Sequence, residues 1–182
     1  IANSEAVAAF YRDVGYPADR VTVIPNAVQT PPEPAASRAD ICRDLGFPDD
    51  ARLVAYVGRL APQKRVHDLI WAAQLLRQAD PRARLLIFGD GPERDTLIHY
   101  ARQVEVTEYV RFVGPRDDAA SLLHRIDAFW LASDFEGMSN SLMEAMACGK
   151  PVIVSDIPPN RELVTHAETG YLIDVGDSVG FA

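Results

Sequence analysis

Two short stretches hold most of the side chains in this sequence that could bind a charged, hydroxylated ligand. In the first, Gly58 and Arg59 end an apolar run and Lys64 follows near the start of a helical pattern. Cations are normally unfavourable at a helix N-terminus, where the dipole is already positive. An anion sharing the spot would explain them. A diphosphate would take a planar fork from Arg59 and a point charge from Lys64. A solvated loop with ordinary surface cations explains the pair about equally well, and Gly58, which permits close backbone approach, tips the balance towards an anion. In the second stretch Glu136 and Glu144 stand eight positions apart. Gly137, Ser139, Asn140 and Ser141 between them are small or polar, so their backbone N–H groups can be left free for an anion at a helix start. The two carboxylates could accept hydrogen bonds from sugar hydroxyls. Plainer roles compete, and by residue type alone they are slightly favoured. Ser141 to Glu144 fits a capping box, and Glu136 fits a solvated loop.

Other chemistries find less support. Gly89-Asp90-Gly91-Pro92 reads as turn chemistry with Pro92 at the first helical position, Gly89 or Gly91 lining a crevice. Neither G-x-G-x-x-G, G-x-x-x-x-G-K-[ST] nor G-x-S-x-G occurs. His67, His99, His124 and His166 lack metal or triad spacing, and Cys42 and Cys148 belong to no Cys/His cluster. The net charge of −8 over 182 residues disfavours a sequence-blind nucleic-acid binder. Apolar runs such as Phe129 to Ala132 are too short to span a bilayer, and reduced thiols suit a cytoplasmic protein.

The elements that must position these residues follow from the apolar pattern. Strand-like runs fall at Leu53–Val57, Leu85–Phe88, Val110–Val113, Ala128–Ala132, Val152–Val154 and Tyr171–Ile173. Helical stretches separate them, at about 65–78, 92–105, 117–125, 140–148 and 160–165. Six short apolar strands alternating with helices predict an α/β fold, a doubly wound Rossmann-like parallel sheet covered on both faces. In the strand order 3-2-1-4-5-6, the crevice lies between the first and fourth strands. The loops after those two strands are the ones carrying Arg59–Lys64 and Glu136–Asn140. Ahead of the sheet the sequence predicts a helix from Ser4 to Val14, a strand at Val21–Ile24, a Pro-rich linker at 29–36, and a helix from about Arg38 capped by Ser37 and stopped by Gly46. Both ends of the chain look cut.

The run from Phe135 to Ile153 resembles the E-x7-E signature of family 4 (group 1) glycosyltransferases. Tyr56 to Leu60 with Lys64 resembles the family's G-R-L…K segment. Leu86–Pro92, Val110–Gly114, Thr169–Leu172 and the junction-like Val23–Asn26 fall in the family's order. The resemblance implies half of a GT-B enzyme. Residues 1–28 would be the tail of an N-terminal domain and the junction, and 29–182 a C-terminal donor-binding domain incomplete at its end. Arg59 and Lys64 would hold the diphosphate, and Glu136 would meet the donor sugar. Gly58, Gly89 and the amides of Gly137, Met138, Ser139 and Asn140 would line the donor site. Glu144 would take the ribose, and backbone at Phe112 and Val113 would face the base. The implied reaction is hexosyl transfer from a nucleotide sugar to a hydroxyl acceptor, retaining and without metal or other cofactor. The implied partners are the nucleotide-sugar donor and the missing acceptor domain, which would also make any membrane contact. The fragment alone would be inactive, with residues 1–28 its most poorly anchored part. Arg65 stands where the family often has Gly, and Ala27 where Gly usually follows Asn26. A nucleotide-sugar epimerase on the same scaffold and a non-catalytic nucleotide-sugar-binding module are the alternatives.

Overall fold

The computed structural model describes all residues, 1–182. Strands β1 (Arg52–Val57), β2 (Ala83–Phe88), β3 (Val110–Gly114), β4 (Ala128–Leu131), β5 (Val152–Ser155) and β6 (Tyr171–Ile173) form one parallel sheet in the order β3-β2-β1-β4-β5-β6. The strands are short apolar runs because helices cover both faces. Leu53, Ala55, Tyr56, Ile87, Phe129, Val152 and Val154 are completely buried in one continuous core.

The helices are α1 (Glu5–Asp13), α2 (Arg38–Asp44), α3 (Val66–Ala79), α4 (Arg94–Gln103), α5 (Ala119–Leu122), α6 (Asn140–Ala147), α7 (Pro158–Arg161) and α8 (Ser178–Phe181). Ser4 caps α1 through a bond from the Val7 N–H. Ser37 and Asp40 form a capping box on α2, which ends before Gly46 in the left-handed region. In α3, Val66, Leu69, Ile70 and Ala73 face the core. No helix is long and apolar enough to cross a membrane.

Several expectations need correction. Val21–Ile24 is not a strand but a single parallel bridge, Val23 to Ala2. The ladder cannot lengthen because the segment paired with it, around Ala2, turns into the α1 cap at Ser4. α4 begins at Arg94, not Pro92, because the Glu93 N–H bonds the Leu60 carbonyl and the Arg94 N–H bonds Gly91. The stretch 117–125 divides into α5 and a 3-10 turn at Leu123–Arg125, and α7 starts earlier than 160 and ends at Arg161. Residues 1–28, expected to be the most poorly anchored part, are mostly exposed but are held at a few points. Ala2, Ser4 and Ala8 are buried, and the Glu162 carboxylate accepts from the N–H groups of Glu5 and Ala6. Phe10, Tyr11, Tyr16 and Ile24 remain exposed.

Candidate functional site

β1 and β4 are neighbours, and the strand order reverses direction between them. Their C-terminal loops therefore flank the crevice at which open α/β sheets take ligands. Three cross-links join these loops. The Asp134 N–H donates to the Gln63 carbonyl at 2.8 Å. Lys64 Nζ meets Glu136 Oε1 at 2.5 Å, with both side chains largely buried. Arg65 Nη1 reaches Asp134 Oδ1 at 3.3 Å.

Glu136 Oε1 is also the acceptor for Ser133 Oγ at 2.7 Å, while its Oε2 bonds nothing in the chain. Ser133 belongs to a buried polar series. Asn160 Nδ2 donates to the Ser155 carbonyl at 2.8 Å, Ser155 Oγ to the Ser133 carbonyl at 2.6 Å, and Ser133 Oγ to Glu136. Ser133, Ser155 and Asn160 are essentially inaccessible, so the orientation of Glu136 is set from within the core. On the other side, the buried Tyr56 hydroxyl donates to the Arg59 carbonyl at 2.9 Å. Burial first, then the nearby Glu136 charge, pushes the Tyr56 hydroxyl far above the usual phenol range, so it stays a donor. The Arg59 side chain is exposed and engages no carboxylate of the chain.

None of the backbone N–H groups from residue 135 to 141 is bonded within the chain. The loop of Gly137, Met138, Ser139 and Asn140 thus presents free donors at the start of α6, as its composition suggests. The capping-box expectation is corrected here. The cap of α6 is Ser139, whose Oγ accepts from Leu142 N, so Ser141 lies inside the helix and Glu144 is not its capping partner. The Glu144 side chain has no hydrogen-bond partner, and burial raises its carboxyl above the usual carboxylate range.

Gly58 and Gly89 come together through backbone. A Cβ on Gly89, at φ +119°, would lie 2.0 Å from the Gly58 carbonyl oxygen, and one on Gly91 would lie 2.2 Å from that of Leu60. Phe112 and Val113 sit on the edge strand β3. The pairs Ile87–Phe112 and Phe88–Gly114 leave Val113 as an extra residue, a bulge that re-aims its backbone at the end of the strand.

Four participants escaped the sequence reading as site residues. Ser133 lies in the loop after β4 without a motif of its own. Arg65 adopts the left-handed conformation, φ 48° and ψ 39°, where glycine is at ease. Its Nε pairs with the buried Asp68 at 2.6 Å. Asn26 Nδ2 donates to the Met138 carbonyl at 3.2 Å and to Asn140 Oδ1 at 2.9 Å. Asn3 lies against Gly137, where a Cβ would come within 2.7 Å of its amide oxygen. The Arg65 departure and the junction-like position of Asn26 were the only available signals.

Comparison with known proteins agrees with this architecture. The chain is 33% identical over 182 residues to the lipopolysaccharide core biosynthesis glycosyltransferase LpsE of Rhizobium meliloti, covering all of this chain and 51% of LpsE. It is 37% identical over 164 residues to glycogen synthase of Mycobacterium tuberculosis, covering 89% of this chain and 38% of that enzyme. Among solved structures, Anabaena HepE in complex with UDP and glucose superposes with a TM-score of 0.88 at 29% identity, over 98% of this chain and 50% of HepE. The chain spans about half or less of the length of these relatives. A family model described as Glycosyl transferases group 1 matches residues 37–182. With that model matching most of its length, this protein belongs to the group 1 glycosyl transferases.

Proposed function

We propose that this chain binds the nucleotide-sugar donor of a retaining glycosyltransferase that moves a hexosyl group to a hydroxyl acceptor. The observation that carries the reading is the Lys64–Glu136 pair across the switch point, with Glu136 Oε2 left free. Arg59 meets the diphosphate with an unshared guanidinium, and Lys64 divides its charge between Glu136 and the phosphates. No metal or other cofactor enters this scheme, because the two cations offset the diphosphate. Glu136 Oε2 accepts from a donor-sugar hydroxyl, and the free amides of residues 137–140 approach the sugar and phosphate. Glu144, relieved of a capping role, takes the ribose hydroxyls. The Phe112–Val113 bulge offers backbone to the base, and Gly58 and Gly89 form the floor.

During transfer positive charge grows on the sugar as the diphosphate leaves, and the leaving phosphate takes the acceptor's proton. Preorganised cations and amides stabilise that separation of charge. Residues 29–182 form the donor unit and residues 1–28 the junction with a second, acceptor-bearing unit. The relatives' greater length supports this division. The chain alone then binds donor without transferring it, since the acceptor is not positioned. The relatives above are named for sugar transfer or glycogen synthesis, which favours transfer over epimerisation. Location on the cytoplasmic side of a membrane, with contact through the second unit, belongs to the same reading.

The test is calorimetry with UDP, ADP, GDP and their glucose conjugates, with and without EDTA. Metal-independent binding of one nucleotide series is expected. Absence of binding by every member would overturn the proposal.

A further inference from the structure

The loop from residue 137 to 140 is tied at its C-terminal end into α6, where Ser139 Oγ accepts from the Leu142 N–H and the Ser139 carbonyl from the Met143 N–H. Its own backbone N–H groups are unbonded, and no helix or strand encloses Gly137 or Met138. What holds that N-terminal part comes from the far end of the chain. The Asn26 amide nitrogen reaches the Met138 carbonyl and the Asn140 side-chain oxygen, 112 and 114 residues away. An amide NH2 has two protons, so both bonds form together. The Met138 carbonyl fixes the amide's orientation, because the reverse would set oxygen against oxygen. These two contacts bracket Ser139, the buried cap of α6.

A second contact lies one residue earlier in the loop, where the Asn3 amide fills the space beside Gly137. The bridge between Ala2 and Val23 keeps both asparagines on the same loop, through Ala2 N to Thr22 O at 2.9 Å and Ile24 N to Ala2 O at 2.8 Å. Glu162, bonding the first turn of α1, holds the arm from the other side.

We propose that Asn26, assisted by Asn3, is a positioning residue that sets the conformation of the 137–140 loop towards a donor sugar. This deepens the proposed function and rests on it. Asn26 and Asn3 touch no ligand in this scheme. They act on the carbonyl side of the loop, leaving its amides free for the sugar and phosphate. The loop's geometry therefore depends on the junction segment, so a change in the junction's placement is felt at the sugar and not at the base or the distal phosphate contacts.

The test compares the unaltered chain with Asn26→Asp, Asn26→Ala and Asn3→Ala. Asn26→Asp keeps the shape but sets a carboxylate oxygen against the Met138 carbonyl. Readouts are thermal unfolding, backbone amide resonances of residues 136–141, and calorimetry with UDP, ADP, GDP and their glucose conjugates. In Asn26→Asp the amide resonances of residues 137–141 should move. Affinity for the preferred nucleotide sugar should fall about tenfold, against less than about threefold for the matching diphosphate. Asn26→Ala and Asn3→Ala should show the same split, smaller for Asn3→Ala, and they decide the matter if Asn26→Asp does not fold. Equal losses for sugar nucleotide and diphosphate, or none, would overturn the positioning role. If the unaltered chain binds no nucleotide, the functional reading fails by itself. The resonances then judge the clasp, and unmoved 137–141 signals in the folded variants would overturn it.

Discussion

Lys64 and Glu136, 72 residues apart in sequence, form a 2.5 Å ion pair that ties the loop after β1 to the loop after β4. The pair gives the two candidate phosphate-binding cations different structural weight. Lys64 supports the fold as well as a ligand, whereas Arg59 is exposed and carries no internal pairing.

Arg59→Ala should therefore leave stability within about 0.5 kcal/mol, as for a surface change. It should cost about 1.5–3 kcal/mol of nucleoside-diphosphate affinity, the worth of a charged hydrogen bond. Lys64→Ala should lower both, with about 2–3 kcal/mol of stability lost by stranding a largely buried carboxylate. Denaturant unfolding and calorimetry on the two variants measure the contrast. A destabilised Arg59→Ala with undiminished affinity would sink the division of labour.

Ser133 is fully buried, and its hydroxyl is the donor that orients Glu136 from the protein side. Ser133→Ala should cost about 1–2 kcal/mol of stability through the lost bond. It should also weaken a nucleotide sugar more than the bare diphosphate, because Glu136 faces the sugar in the proposed site. Equal weakening of both ligands would argue that Ser133 only fills space.

For Glu144, burial raises the folded-state pKa above the unfolded value. The folded chain then holds its proton more tightly. The charged form costs stability at neutral pH, and that cost is relieved as pH falls through the raised pKa towards the unfolded one. Glu144→Gln should thus be at least as stable as the parent at pH 7, with any advantage fading as the solution is acidified. Nucleotide affinity should fall in the same variant, and in the parent it should weaken as Glu144 protonates. Thermal melts across pH, paired with calorimetry, read both effects. A Glu144→Gln variant markedly less stable at pH 7 would contradict the unpartnered carboxylate seen in the structure.

Arg65 holds a left-handed backbone that costs a non-glycine residue about 1–2 kcal/mol. Its hydrogen bond to Asp68, a residue only 7% exposed, works in the opposite direction. A charged bond of about 1.5–3 kcal/mol outweighs that strain, so Arg65→Gly should be mildly destabilising. In an Asp68→Ala background the same change should cost less, since only the longer Asp134 contact then opposes the relief of strain. Urea unfolding of the four-member cycle tests this, and an unchanged effect in both backgrounds would show that the pair is not what retains arginine there.

The sheet was legible because the central strands are short apolar runs buried on both faces, and because Ser4, Ser37 and the glycines punctuate the helices. The placement of Lys64 and Glu136 in neighbouring loops was legible too, since it follows from the strand order. The cap of α6 was not, although its start near residue 140 was. Ser139, Asn140 and Ser141 all qualify as caps, and Asn140 is engaged by Asn26 from across the fold. Local propensity has no access to that contact. The bridge at Val23 likewise looks like a strand from its β-branched neighbours, while its length is decided by where Ser4 begins α1.

The seam between the loops after β1 and β2 restricts how this molecule can change over evolutionary time. Gly89 and Gly91 press so closely on the carbonyls of Gly58 and Leu60 that not even one methyl group fits between them. Those two loops are bound to drift together or not at all. Sequence variation that retunes ligand preference is channelled to the opposite wall, where Asp134, Phe135 and Asn140 are exposed. One wall of the crevice is thus inherited nearly fixed, and the other is where new specificities can be tried.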